Sequence, residues 1–246
     1  MLYYFLYDIN SKFSTLYTTL SDVSGNLSNL WFALCVIVCI TIPYFLGSLN
    51  FGVILSSKLY KDDVRCHGSG NAGTTNMLRN YGKKAGVLTL FGDMLKMAAS
   101  CAIGAFVGPY YYGLYIAGLF CIMGHMFPVF FKFKGGKGIA CLAMMVLMTD
   151  IKAFLFLIFA FIVIVAGTKY VSLGSVVCAM MYPVILNRVN TEVPFGWLIA
   201  TVIAAFVVFM HRENIKRLWN GNENKLSFGK KKKTEEAAEE STEDGE

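Results

Sequence analysis

The sequence predicts an all-α polytopic membrane protein of about seven transmembrane helices, with its N-terminus outside and its C-terminus in the cytoplasm. Three observations predict it. Hydrophobic residues make up 56% of the 246-residue chain and mean hydropathy is +0.54, beyond an ordinary soluble domain. Charged residues are only 15% and fall in clusters between apolar blocks. The basic clusters are also lopsided along the chain.

Seven apolar blocks run at about 30–55, 85–107, 111–131, 138–148, 153–167, 172–186 and 195–210. A straight crossing needs about 20 residues. The fourth, fifth and sixth blocks are shorter, so half-depth helices, wider true boundaries and a five-span arrangement are all compatible with them. Threading seven spans from an outside N-terminus puts 18 of the 22 Lys and Arg residues on inside segments, three outside, and Lys96 within a span. The reversed threading violates the positive-inside rule. The chain divides into an extension at 1–29, a membrane domain at 30–225 and a charged cytoplasmic tail at 226–246. The extension reads as an interfacial helix, since it lacks the basic start and long apolar run of a cleaved signal peptide. The tail pairs a lysine run at 230–233 with an acidic, low-complexity end, predicted to be disordered.

The net charge of +6 is carried by residues that flank apolar spans, which suits lipid headgroups and phosphorylated substrates and argues against nucleic acid. Six of the seven cysteines lie inside apolar blocks, only Cys66 is in a polar loop, and there is no CxxC pair. They read as small apolar filler, with no zinc or redox site.

The unusual polar sequence all falls on the inside face. At 63–84, Gly68, Gly70 and Gly73 formally match GxGxxG, but no buried strand precedes them and Asp93 lies in a span, so a dinucleotide site is rejected. What remains is an anion loop. Glycines expose backbone N–H groups, Ser69, Asn71, Thr74, Thr75 and Asn76 add donors, and Arg79 offers a fixed charge with a bidentate fork. At 131–140, Gly135, Gly136, Lys137 and Gly138 open a helix beside Lys134. The spacing is not that of a nucleotide-hydrolysing P-loop, yet free N–H groups and the helix dipole favour phosphate there. Ser172 and Ser175 either cap the sixth helix or donate to a substrate. At 211–225, His211 and Asn214 share a helix face, and Glu213 and Arg217 have i,i+4 ion-pair spacing. Asp93 and Lys96, each costing about 2.5–3.5 kcal/mol alone at mid-membrane, can pair as i,i+3, as a clasp or as part of a site. His125 is a further buried polar group in a span.

These motifs, in this order, resemble the acyl-phosphate:glycerol-3-phosphate acyltransferase family, known as PlsY. The likeness covers about 42–225 through Gly47-Ser48, GSGNAGTTNMLR, DMLK, GHMFPVFFKFKGGKGIA, YVSLGS and HRENIKRLWNGNENK. It implies a seven-span fold with a cytoplasm-facing site in a bacterial cell membrane. Ser69 and Arg79 are implied as important in a first motif, and Gly135, Gly136, Lys137 and Gly138 as a phosphate loop. His211 and Asn214 matter in a third motif, with Glu223 more structural. The substrates implied are glycerol 3-phosphate and acyl phosphate, not acyl-CoA or acyl carrier protein; a soluble enzyme making acyl phosphate is an implied partner. No cofactor or metal is implied. Ala72, Thr74, Met97 and Asn222 depart from the usual family residues without removing a site residue, and the two terminal extensions lie outside the pattern.

The expected chemistry is attack of the glycerol 1-hydroxyl on a mixed anhydride. Arg79, Lys137 and Lys134 bind phosphate; Asn71, Thr75, Asn76 and Ser172 contact substrate; Ser69 stabilises developing charge. Either His211 or a substrate phosphate takes the proton. No Ser–His–Asp arrangement asks for an acyl-serine intermediate. His-x4-Asp, the mark of CoA-dependent glycerolipid acyltransferases, is absent, as is the CDP-alcohol phosphotransferase block. An anion transporter would place polar sequence at the midplane, and a structural scaffold would not require two glycine-rich anion loops.

Overall fold

The computed structural model describes residues 25–108, 112–189 and 193–226, together with Thr15 and Thr19, and the regular structure among them is helical. Most of the predicted extension and the tail after Leu226 lie outside the described residues. The first apolar block is broken in two, α1 (Gly25–Ser48) and α2 (Phe51–Tyr60). The break falls at Asn50, whose Oδ1 accepts from the Val53 N–H at 3.3 Å and starts α2. Lys96 donates to the carbonyls of Gly47 and Leu49, both at 2.9 Å. It thereby satisfies groups that the end of α1 leaves open where water is excluded.

α3 (Thr74–Val107) starts eleven residues before the apolar block predicted at 85. Gly82, with φ 84° and ψ −177°, divides it into a polar arm and a long apolar helix. That left-handed backbone is one glycine adopts without strain. α4 (Tyr112–Met126), a 3-10 turn (Val129–Phe131), α5 (Ile139–Thr149), α6 (Ile151–Thr168), α7 (Val171–Val189), α8 (Gly196–Met210) and α9 (Arg212–Trp219) follow.

Among the described residues, five stretches are long and apolar enough to cross a membrane: Ser28–Tyr60, Thr74–Val107, Tyr112–Phe131, Ile151–Thr168 and Val171–Val189. α8 and α9, bent by 58°, make a sixth if taken as one span. α5 does not qualify. Its 11 residues reach about 16 Å at 1.5 Å each, roughly half the hydrocarbon thickness. The described residues thus hold five or six span-length stretches and one short apolar helix, α5, which Asp150 ends while its carboxylate caps the Ala153 N–H of α6 at 2.8 Å.

α1 packs on α4 and α3, α4 on α3 and α8, and α7 between α6 and α8. Glycines permit the closest crossings. A side-chain carbon on Gly47 would fall 2.1 Å from the Cys121 carbonyl oxygen, and one on Gly124 2.1 Å from that of Tyr44. Met97, Tyr115, Ile122, Met145, Tyr182 and Ile203 fill the core. Leu155, Phe156, Phe159, Ile162 and Val163 of α6 are exposed, a face suited to lipid. Five cysteines are buried and Cys178 half-buried, in keeping with their reading as filler.

Candidate active site

The polar arm of α3 and the loop before it form one wall of a cavity of about 420 Å³. Asn76 shapes that wall. Its Nδ2 donates to the carbonyls of Val64 (2.9 Å), His67 (3.0 Å) and Asn71 (2.9 Å), and its Oδ1 accepts from the Ser69 N–H at 3.0 Å. Asn76 lines the cavity, with its side chain buried and its amide hydrogens held by the loop. Ser69, Asn71, Thr75 and Arg79 line the cavity too, beside Thr74, whose buried Oγ1 has no partner among the described residues.

The second glycine loop divides. The N–H groups of Gly135 and Gly136 bond to the carbonyls of Met126 (3.2 Å) and His125 (3.1 Å) at the end of α4. They are not free for an anion, and neither glycine lines the cavity. Lys134 is exposed and also outside it. Lys134, Gly135 and Gly136, expected to contact substrate, are thus not brought to the cavity. Lys137 and Gly138 do line the cavity, with the opening residues of α5, Ile139 and Ala140.

The third wall joins α7, the α8–α9 junction and the segment after α9. Glu223 gathers it: Oε1 accepts from Ser172 Oγ (2.9 Å) and Asn214 Nδ2 (2.8 Å), and Oε2 from Arg217 Nε (2.8 Å). This replaces the expected Glu213–Arg217 pair, since Glu213 is exposed while the Glu223 side chain is 5% exposed. Ser172 serves Glu223 as donor rather than capping a helix. Arg79 Nη2 donates to the Asn224 carbonyl at 3.3 Å. The buried Asn214 Oδ1, on the cavity wall, has no partner among the described residues.

Electrostatics follow from this packing. Burial, then the Arg217 charge, lowers the Lys137 pKa to about 8, with Glu223 opposing. Burial works to raise that of Glu223, but bonds from Asn214, Arg217 and Ser172 hold it below its ordinary value. His211 lies just past the end of α8; burial lowers its pKa to about 4 despite its bond to the Val207 carbonyl. That bond, 2.8 Å from Nδ1, goes to a group that can only accept. Nδ1 therefore carries the proton and Nε2 remains an acceptor.

Asp93 and His125 also line the cavity, and Lys96 lies 2.9 Å from Asp93 Oδ1 and 2.9 Å from His125 Nδ1. The predicted i,i+3 pair forms, and it extends to α4 and to the α1 break. Asp93, His125 and Cys141 offer three donor atoms within 4.8 Å, but the Lys96 ammonium already supplies the positive charge there and opposes a metal ion.

The far wall is apolar: Leu90, Leu142, Val146, Phe154, Leu157 and Phe161. Sequence reasoning missed these residues, because nothing in an apolar stripe separates cavity lining from core. It also missed the Arg79–Asn224 contact, which joins residues 145 apart.

The chain matches the family described as Glycerol-3-phosphate acyltransferase over residues 37–221. A glycerol-3-phosphate acyltransferase of Finegoldia magna is 38% identical over 204 residues, 81% of this chain and 98% of that protein. One from Carboxydothermus hydrogenoformans is 35% identical over 195 residues, 79% and 98% of the two chains. Among solved structures, PlsY (YgiH), an integral membrane glycerol 3-phosphate acyltransferase, in its glycerol 3-phosphate form superposes with a TM-score of 0.72 at 36% identity, covering 78% of this chain and 96% of that one. Its lysophosphatidic acid form gives 0.70 at 34% identity, covering 78% and 95%.

Proposed function

This chain belongs to the glycerol-3-phosphate acyltransferase family, and from that premise we propose that it moves a fatty acyl group from acyl phosphate to the 1-hydroxyl of sn-glycerol 3-phosphate, releasing lysophosphatidic acid and phosphate. The observation that carries this reading is the mixed lining of one cavity. Arg79, Lys137 and the start of α5 border it together with Phe154, Leu157 and Phe161. A water-soluble dianion and a lipid acyl chain can meet there.

In this reading Lys137 and Arg79 hold the phosphate of glycerol 3-phosphate, while Ser69, Asn71 and Thr75 hold the acyl phosphate. His211 Nε2 accepts from the attacking 1-hydroxyl and orients it, and Asn214 Oδ1 accepts from the neighbouring 2-hydroxyl. The 1-hydroxyl oxygen bonds to the acyl carbon, and the bond from that carbon to the phosphate oxygen breaks. A His211 pKa of about 4 makes the imidazole a weak base, so the released phosphate takes the hydroxyl proton and His211 positions it. Ser172 and Glu223 act by holding Asn214.

The four polar loops border one cavity and therefore share one membrane face. The basic bias of the loops supports a cytoplasmic position for that face and an outside N-terminus. Acyl phosphate then comes from a soluble enzyme on the same side.

The test of the donor uses purified protein in lipid with labelled glycerol 3-phosphate and either palmitoyl phosphate or palmitoyl-CoA. Lysophosphatidic acid and phosphate should form from the acyl phosphate alone. Product from the CoA ester instead would overturn the donor. Accumulation of unmodified label inside proteoliposomes would favour a transporter.

The lysine sets the pH profile. Lys137 loses its charge as pH rises through about 8, whereas the substrate phosphate completes its second ionisation near pH 6, at about the value for a phosphate ester. The kcat/KM for glycerol 3-phosphate should therefore fall above about pH 8, because that parameter reports the free enzyme. Lys137→Arg should remove this alkaline limb, since guanidinium stays charged. An unchanged limb in the arginine variant would assign it to another group.

A further inference from the structure

We infer that Arg65 is a positioning residue that locks together the two loops carrying the halves of the active site. It sits in the 3-10 turn Val64–Cys66. Asp63 grips the guanidinium through Nε (3.0 and 3.1 Å) and Nη2 (2.7 Å). This fixes the plane of the fork and turns Nη1 across to the second loop. There Nη1 donates to the carbonyls of Phe131 at 2.9 Å and Lys134 at 3.0 Å.

The receiving loop needs holding. Phe131 and Lys134 bracket Lys132 and Phe133, both left-handed at φ 57°. That conformation is strained for a residue with a side chain. Directly after it, Gly135 and Gly136 bond to the end of α4, and Lys137 enters the cavity. On the other side, the carbonyls of Val64 and His67 flank Arg65 and accept from Asn76, which also holds the Ser69 N–H. One guanidinium thus stands between the loop that places Ser69 and the loop that places Lys137.

Neither Arg65 nor Asp63 lines the cavity, so Arg65 acts through the loops and not on substrate. Lysine cannot substitute, because a single ammonium on a flexible stem cannot bind a carboxylate bidentately and reach two carbonyls at once. A displacement of about 1 Å in such a site can cost about 100-fold in rate.

This inference rests on the assignment of Lys137 to the phosphate of glycerol 3-phosphate, and the experiment separates the two. Arg65→Ala, Arg65→Lys, Lys137→Ala and Arg65→Ala/Lys137→Ala are prepared in the full chain. Each is assayed for kcat and KM with palmitoyl phosphate and glycerol 3-phosphate, alongside thermal midpoints. Arg65→Ala should lower kcat/KM by about 100-fold, and Arg65→Lys by about 10-fold, with both kcat and KM changed. In the Lys137→Ala background the Arg65→Ala loss should shrink below about 3-fold, because the loop then places no gripping group. Losses that simply multiply would overturn the coupling, as would wild-type kinetics in Arg65→Lys. A harmless Lys137→Ala would overturn the phosphate assignment instead. If Arg65→Ala does not fold, Asp63→Asn replaces it in the same cycle: a loss that shrinks with Lys137→Ala supports the inference, and wild-type kinetics overturn it.

Discussion

Arg79→Ala is expected to lower kcat/KM for glycerol 3-phosphate by about 100–1,000-fold, in the range for removing one partner of a hydrogen-bonded charge pair. Two cations stand on the polar cavity wall, and Lys137 alone is held only partly charged at neutral to alkaline pH, its pKa being about 8. Arg79 is the one that cannot be discharged. Its contact to the Asn224 carbonyl, at 3.3 Å, is long and exposed, so folding should lose little. Arg79→Lys should recover part of the rate by restoring charge without the fork. Initial rates of phosphate release, read beside thermal midpoints, check this. A loss under about 3-fold in a folded alanine variant would remove Arg79 from the substrate-binding set, since it would fall far below that range.

Asp93→Ala is expected to destabilise the protein by about 3–5 kcal/mol, the cost of stranding one member of a buried ion pair. The carboxylate and Lys96 are almost fully buried, and Lys96 also holds the carbonyls of Gly47 and Leu49. Removing Asp93 leaves an ammonium beside the His125 ring with no anion. Asp93→Ala/Lys96→Met should be less damaged than Asp93→Ala, because the stranded charge goes too, although the α1 carbonyls then lose their donor. Denaturant titration in mixed micelles gives the comparison. Equal stability of Asp93→Ala and the native protein would show that the cluster does not hold α3, α4 and the α1 break together.

The spans, the lopsided loops and the Asp93–Lys96 pair were legible in the sequence because each is local. Hydropathy needs only a window, and i,i+3 spacing on a helix fixes which groups can touch. The motif order then sufficed for the family. Two things were not legible. The division of the glycine loop, with Gly135 and Gly136 bonded to α4 and Lys137 in the cavity, depends on how α4 ends. The partner of Arg217 depends on the turn at Gly221, φ 71°, which brings Glu223 back over α9. Periodicity favoured Glu213 for that partner. Water competes for the exposed Glu213, whereas the buried Glu223 keeps its three donors. Sequence by itself determined which chemical groups lie at the membrane face. Tertiary structure decided which of them reach the cavity, because a buried polar group takes whichever partner the packed chain brings within bonding distance.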